Sequence, residues 1–275
     1  SVNIQPFKKK PKNHFIFVGS GNLTLTEVKK LKGEKIIVID KFQGHKNQEE
    51  LKSLVSEYIV GDIKDQNLQK RLNVSEAKNI FLFTNKDEIN INTALVLKCD
   101  NIVVRVEDLE MISLFKDRLE IRSVHKQKAI DLIKSSDLLA KSKIVIYGFG
   151  RFGQNVLRQL IQNEESSLKQ VIIVDSKAMT QWGHFQYQFN IDFDFEFTLI
   201  NKDQLNYSVI NDVAQKIDLD KDSSIVFCIS YADYSNIKTA TVFRKNYNEP
   251  SIFIRSVGSL IEDVVSKASN ITLFE

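Results

Sequence analysis

The sequence contains little cysteine and proline and has no long apolar run. Of its 275 residues, 2 are Cys and 3 are Pro. Cys99 and Cys228 stand alone in separate segments, so their spacing predicts neither a disulfide framework nor a thiolate metal site. No run approaches the roughly 20 apolar residues of a bilayer-spanning helix, and no signal-peptide pattern is present. We therefore expect a protein of a reducing compartment, the cytoplasm, whose chain does not itself cross a membrane.

Charge of one sign is also scarce. The 38 basic and 35 acidic residues give a net charge of +3, and no basic stripe with interleaved aromatics is present. Nucleic acid is therefore not an expected partner. The histidines, His14, His45, His125 and His184, lie in separate segments without paired carboxylates or thiols. We accordingly predict no catalytic residue and no metal-binding residue.

Residues 1–13 have the composition of a basic linker. They hold four lysines and two prolines, which neither pack a core nor form a helix. A lysine cluster next to an anionic inner membrane leaflet gains about 1 kcal/mol per charge. The alternative is a frayed basic terminus, and the sequence leaves both interpretations open.

From His14 onward, short apolar β-branched runs alternate with amphipathic stretches. Such runs are typical of parallel strands buried on both faces, and segments such as 23–31, 65–72 and 88–97 are long enough to be crossover helices. The predicted class is α/β, with two tandem Rossmann-like, doubly wound parallel sheets. The predicted strands are 14–18, 36–39, 58–60, 80–83 and 102–104, then 144–147, 171–174, 197–200, 225–229 and 252–254.

The chain contains an internal repeat. Residues 84–98 align with residues 230–244 at a constant offset, and six pairs are identical. We predict a first domain over residues 14–122 and a second over 143–275. Residues 123–142 have helical spacing without Gly or Pro, which predicts a connecting helix that docks the domains together or packs against a second chain. The identical pairs are Asp87/Asp233, Asn90/Asn236, Ile91/Ile237, Thr93/Thr239, Ala94/Ala240 and Val96/Val242.

A glycine-rich turn follows the first strand of the second half. Gly148 permits a tight turn, Gly150 lets a pyrophosphate approach the backbone, and Gly153 allows the next helix to pack on the strand. The helix N-terminus offers N–H groups and positive potential to a phosphate. Asp175 ends the next strand, where a carboxylate accepts hydrogen bonds from a ribose diol. The pattern predicts a dinucleotide site.

The first half carries a related turn with Gly19, Gly21 and Asp40. Thr24 replaces the third glycine, and its Cβ pushes the helix away from the strand. In the second half the carboxylate of Asp175 repels a 2′-phosphate. NAD(H) or an adenine nucleotide such as ATP or ADP is therefore expected rather than NADP.

Two further motifs point to a family. The third strand ends in Gly61-Asp62, and the fourth runs into Thr84 and an acidic, Asn-containing helix. With the glycine turn and the strand-end Asp, these motifs resemble the regulator-of-potassium-conductance domains, also called potassium-transport nucleotide-binding or TrkA-N domains, over nearly all of residues 14–270. The second half departs from the family pattern, because residues 200–203 stand in place of Gly-Asp and residues 182–197 are unusually aromatic.

The resemblance implies a nucleotide-sensing regulatory module of a potassium channel or transporter, without enzymatic activity. The implied partners are a membrane pore domain of the same or another chain and further copies of this chain, as a dimer or tetramer. The implied location is cytoplasmic, tethered to the inner face of the cell membrane. The implied nucleotide contacts are Gly19, Gly21, Asp40, Asp62 and Thr84 in the first domain, and Gly148, Gly150, Gly153, Asp175 and Ser230 in the second.

Two other functions compete with this one. An NAD-dependent oxidoreductase is suggested only by Tyr234 and Lys238, a Tyr-x-x-x-Lys pair like that of short-chain dehydrogenases. The repeat places this pair after the fourth strand, whereas those enzymes carry theirs after the fifth. A Rossmann scaffold that assembles proteins without a ligand is favoured by Thr24 and opposed by the complete second glycine turn.

One acidic cluster has two interpretations. Glu107, Asp108 and Glu110 form either a solvated helix start or, in an assembly, a divalent-ion site. We interpret them as a solvated helix start.

Overall fold

The structure is a computed structural model that describes residues 10–97, 99–189, 193–203, 208–220, 222–230, 233–247, 250–255 and 271–274. The chain divides into two compact units, Ser1–Val124 and His125–Glu275. None of the helices in the described part of the chain has the length and apolar character needed to span a bilayer. The expected class, α/β with parallel sheets in two tandem units, is confirmed.

The first unit alternates strands and helices throughout. Its six strands lie in the order β3-β2-β1-β4-β5-β6, and every neighbouring pair is parallel. This is the strand order of a Rossmann fold. The elements are β1 (His14–Val18), α1 (Asn22–Lys30), β2 (Ile36–Asp40), α2 (Gln48–Leu54), β3 (Glu57–Val60), α3 (Gln66–Leu72), β4 (Ala77–Leu82), α4 (Asp87–Leu97), β5 (Ile102–Arg105), α5 (Leu109–Phe115) and β6 (Glu120–Arg122).

Alternating strand side chains build a separate core on each face of this sheet. Ile16 packs in one core with apolar residues of α3 and α4, whereas its neighbour Phe17 packs in the other with Val28 of α1 and Leu51 of α2. Burying one such side chain contributes about 1.5 to 3 kcal/mol. A continuous apolar run therefore suits a strand that is covered on both sides.

The second unit repeats this topology. Its sheet has the order β9-β8-β7-β10-β11-β12, again with parallel neighbours. Its elements are α6 (Val124–Ser135), which begins at the boundary between the units, β7 (Lys143–Tyr147), α7 (Arg151–Ile161), β8 (Gln170–Val174), α8 (Ala178–Phe189), β9 (Glu196–Ile200), α9 (Ser208–Lys216), β10 (Ser224–Cys228), α10 (Asp233–Asn246), β11 (Ser251–Arg255) and β12 (Ile271–Phe274).

The segment expected to connect the domains contains α6. Ala129, Leu132 and Ile133 of this helix are buried in the core of the second unit, together with Ile144 of β7. Residues 125–135 are therefore an integral part of that unit rather than a connection outside it.

The predicted linker is only partly described, because residues 1–9 lie outside the described residues. At its end, Pro11 is buried and its carbonyl oxygen accepts a hydrogen bond from Asn73 Nδ2 at 3.0 Å. The backbone N–H of Asn13 donates to Glu76 O at 3.1 Å. The last residues before β1 are thus fixed to the first unit.

Candidate functional site

The glycine turn of the first unit passes directly against the end of β4. Gly19 has a φ of +102°, and a Cβ at this position would lie 3.0 Å from the Thr84 backbone nitrogen. Only glycine fits both the positive φ and this approach. The Thr24 hydroxyl donates a buried hydrogen bond to Gly19 O at 2.7 Å. Thr24 therefore replaces the third glycine of the motif with a side chain that stabilises the turn through a hydrogen bond.

Neighbouring side chains hold this turn in place. Ser20 Oγ lies 2.7 Å from Tyr58 Oη, and burial raises the pKa of Tyr58, which favours the neutral phenol. Asn47 Nδ2 donates to Ser20 O and to Asn22 Oδ1, each at 3.1 Å. Side chains from β3 and from the loop before α2 therefore fix the turn before any ligand arrives.

The N-terminus of α1 is open. No side chain caps it, and a Cβ added at Gly21 meets no atom within 4 Å. The first N–H groups of a helix have no partner within the helix, and they lie at its positive end. This helix start therefore offers space and hydrogen-bond donors for a phosphate.

A cleft of about 340 Å³ lies at the carboxyl ends of the strands of the first unit. This volume is in the range of small-molecule sites. All five residues predicted for this unit line it, so the structure brings them together. They are Gly19, Gly21, Asp40, Asp62 and Thr84.

The two acidic residues of the cleft are held by their own turns. Asp40 Oδ1 accepts the N–H of Phe42 at 3.2 Å, and Asp62 Oδ1 accepts the N–H of Lys64 at 2.9 Å. Lys41 Nζ is 3.7 Å from Asp62 Oδ2, a solvent-exposed ion pair worth at most about 1 kcal/mol. Both carboxylates are thus oriented at the rim, where a ribose diol needs acceptors.

Several residues that line the cleft were not predicted. Phe42, which is 70% exposed, supplies an apolar surface next to Asp40. His45 comes from the loop after β2, and Arg105 ends β5. For Arg105 the sequence does contain a signal, because both halves end their fifth strand in Arg, at Arg105 and Arg255.

Each unit joins the ends of two strands through one buried asparagine. In the first unit Asn90 Oδ1 accepts from the N–H and the hydroxyl of Thr84 at 3.1 and 2.6 Å, and Asn90 Nδ2 donates to Thr84 O and Arg105 O, both at 2.9 Å. In the second unit Asn236 makes the same four bonds with Ser230 and Arg255, at 2.8 to 3.0 Å. The sequence repeat is therefore a repeat of the site architecture.

Asn236→Ala is expected to lower the free energy of unfolding of the second unit by about 3 kcal/mol, because it leaves backbone groups of Ser230 and Arg255 without this buried partner. The measurement is urea unfolding followed by the fluorescence of Trp182, the single Trp of the chain. The control is Asn246→Ala on the same helix, where the side chain is exposed and a change below about 0.5 kcal/mol is expected. Equal effects of the two substitutions would argue against the role of Asn236 in joining the two strand ends.

The acidic cluster after β5 differs from our expectation. Glu107 is 2% exposed, so the interpretation of a solvated helix start is wrong for this residue. Its carboxylate accepts from Arg105 Nε at 3.1 Å, Ser123 Oγ at 2.8 Å and the Val124 N–H at 2.9 Å. Asp108 does cap α5, through the N–H groups of Glu110 and Met111. Among the described residues, no group of three potential ligands forms a metal site.

The second unit has the same turn but a smaller cleft. Gly148 has a φ of +96°, and an added Cβ would lie 2.5 Å from Ser230 Cα. A Cβ at Gly153 would lie 2.7 Å from Gly148 O, so this glycine allows α7 to pack on the strand. The cleft, of about 130 Å³, is lined by Gly148, Asp175 and Ser230, whereas Gly150 and Gly153 do not line it.

Family comparison identifies the first of these units. Residues 15–126 match the family model of the TrkA-N domain. This segment is a TrkA-N domain. The matched residues include the whole 340 Å³ cleft, so the resemblance expected from the sequence is confirmed for this part of the chain. The sequence has no significant match among curated proteins.

Solved structures resemble the chain over both units. A GsuK channel bound to NAD is 13% identical, with a TM-score of 0.65 over 98% of this chain and 62% of that one. GsuK bound to ADP is 17% identical, with a TM-score of 0.62 over 99% of this chain and 69% of that one. The GsuK RCK domain is 13% identical, with a TM-score of 0.61 over 99% of this chain and 76% of that one. At these identities the likeness shows the shared fold.

Proposed function

We propose that this chain is a nucleotide-sensing regulatory module that couples ligand binding to a potassium channel or transporter. The observation that carries the proposal is the cleft of the TrkA-N unit. There the glycine turn, the open start of α1 and the carboxylates of Asp40 and Asp62 surround one space of about 340 Å³. The ligand we propose is NAD(H) or an adenine nucleotide, ATP or ADP.

Each part of the cleft suits one part of such a ligand. The backbone of Gly21 and the start of α1 suit the phosphates, since donors and positive potential meet there. Asp40 suits a ribose diol. Phe42 and Ile89, which are 70% and 44% exposed, offer apolar surface to a base. No cofactor geometry is assigned beyond these contacts.

The ligand preference tests this assignment. We expect the full chain to bind NAD about tenfold or more tightly than NADP, because Asp40 opposes a 2′-phosphate. Asp40→Ala is expected to weaken NAD binding and to bring the affinities for NAD and NADP closer together. Affinities for NAD, NADH, NADP, ATP and ADP are to be measured by isothermal titration calorimetry, with Glu34→Ala as an exposed acidic control outside the cleft. Failure of every one of these nucleotides to bind would overturn the proposed function.

The coupling to a membrane pore rests on the family and the fold. A differential affinity of 1 to 3 kcal/mol between two states is a typical coupling energy, and several sites in a symmetric assembly add their effects. We therefore propose a homo-oligomer, dimer or tetramer, that acts on a pore domain of the same or another chain from the cytoplasmic side, tethered to the inner face of the membrane. Potassium flux through membrane vesicles that contain the full protein, with and without NAD or ADP, tests the coupling.

The oxidoreductase alternative gains no support from the geometry. Tyr234 is 71% exposed on α10, and Lys238 Nζ lies 5.8 Å from its ring centroid. Neither residue lines the cleft of the first or the second unit. Oxidation of bound NADH by an added carbonyl substrate would support the oxidoreductase alternative.

A further inference from the structure

We infer that the chain binds one nucleotide, in the first unit, and that residues of the second unit itself occupy the place of a second one. This inference rests on the proposed function and specifies its stoichiometry. It reverses the order that the glycine motifs suggest, because the second unit has all three glycines and the first has only two.

In the second unit the carboxylate that follows the third strand stands one residue further along than Asp62 does, at Asp203, which lines the smaller cleft. Strand β3 is followed by Gly61 and Asp62, whereas β9 is followed by Asn201 and Lys202. Lys202 Nζ lies 2.7 Å from Asp212 Oδ2 of α9, and Asn201 Oδ1 accepts the N–H of Met179 at 3.4 Å. Both side chains are engaged with neighbouring helices, and neither supplies the acceptor that Asp62 provides.

The strand-end carboxylate of the second unit, that of Asp175, is bound within the protein on both oxygens. Oδ2 accepts the N–H of Phe149 at 2.9 Å, and Oδ1 accepts the N–H of Lys177 at 2.8 Å. The Phe149 N–H belongs to the glycine turn itself. In the first unit, Asp40 accepts the N–H of Phe42, from its own turn. The ribose-binding group and one turn amide of the second unit therefore satisfy each other.

Aromatic packing fixes this arrangement. Phe149 is completely buried, with its ring centroid 5.4 Å from that of Phe185 and 6.0 Å from that of Trp182, both on α8. At the corresponding position of the first unit stands Ser20. Displacing the Phe149 backbone would pull this ring out of the core.

The segment after the second strand also differs between the units. In the first unit seven residues separate β2 from α2, and Lys41, Phe42 and His45 of this loop line the cleft. In the second unit only three residues, 175–177, separate β8 from α8, which begins at Ala178. The cleft is correspondingly about 130 Å³ instead of 340 Å³, below the range of a small-molecule site.

Two glycines provide a matched pair for the test. Gly21 has φ −69° and ψ 175°, Gly150 has φ −73° and ψ −167°, and an added Cβ meets no atom within 4 Å at either position. Valine is therefore compatible with the fold at both sites while it fills the space in front of a helix start. A cooperative thermal unfolding transition in both variants is the check that they are folded.

Calorimetric titration of the full chain with NAD, and separately with ADP, measures the stoichiometry. We expect one equivalent per chain, a loss of roughly 100-fold in affinity for Gly21→Val, and unchanged affinity and stoichiometry for Gly150→Val. Two equivalents per chain, or weaker binding in Gly150→Val, would overturn the inference while leaving the proposed function intact. Absence of any binding to the unmodified chain would overturn both.

Discussion

Replacing Gly148 with alanine is expected to lower the free energy of unfolding of the second unit by about 4 kcal/mol. Two costs combine. At φ +96° an L-residue is strained by about 1 to 2 kcal/mol. The new Cβ would also lie 2.5 Å from Ser230 Cα and 2.6 Å from Ser230 N, which are backbone atoms at the end of β10 and cannot rotate away.

Urea unfolding followed by Trp182 fluorescence measures this loss, because Trp182 is buried in the core of the second unit. Gly183→Ala is the control within that unit. Gly183 is an exposed helix position where a Cβ meets no atom within 4 Å, so alanine is expected to stabilise by about 0.5 to 1 kcal/mol. If Gly148→Ala changed the free energy of unfolding no more than the control does, this would contradict the close approach of Gly148 to Ser230.

The fold was largely predictable because each central strand is an apolar run. Ten strands were predicted, and all ten are present, with their ends shifted by a few residues. The two missed strands, β6 and β12, lie at a sheet edge. The sequence of β6, Glu120-Ile121-Arg122, is short and charged, as edge strands often are, so it carries no pattern of burial on both faces.

The candidate site was predictable in its parts but not in its volume. Glycines and a strand-end carboxylate specify a turn through local backbone geometry, so a motif of a few residues suffices to find it. The size of the cleft depends instead on the loop after the second strand and on where Phe149 packs, which are tertiary features. For this reason the second unit has all three glycines of the motif and yet the smaller cleft.

Burial of single charged residues was the other feature that the sequence did not reveal. The composition of residues 107–110 is that of an exposed helix start, and Asp108 does cap α5. Glu107 is buried because Arg105, Ser123 and the start of α6 surround it, and these partners come from two segments, the end of β5 and residues 123–124. Only the folded chain brings these segments together.

Glu107→Ala is expected to destabilise the first unit by about 4 kcal/mol, since removing one member of a buried ion pair leaves the other charge uncompensated. Arg105, whose side chain is 21% exposed, loses this carboxylate, and the Val124 N–H loses its acceptor. Glu107→Gln is expected to cost less, because one carbonyl oxygen remains to accept a hydrogen bond.

Hydrogen exchange of the peptides that contain β4 and β5 measures this effect, because the Trp182 fluorescence reports on the second unit. Glu110→Ala is the control. Glu110 is an exposed acid three residues further along the chain, and its loss is expected to cost less than about 1 kcal/mol through the start of α5. Equal protection of β5 in Glu107→Ala and Glu110→Ala would contradict the role of Glu107. A selective loss of protection in Glu107→Ala would show that the cleft residue Arg105 and the first residue of α6 depend on the same buried carboxylate.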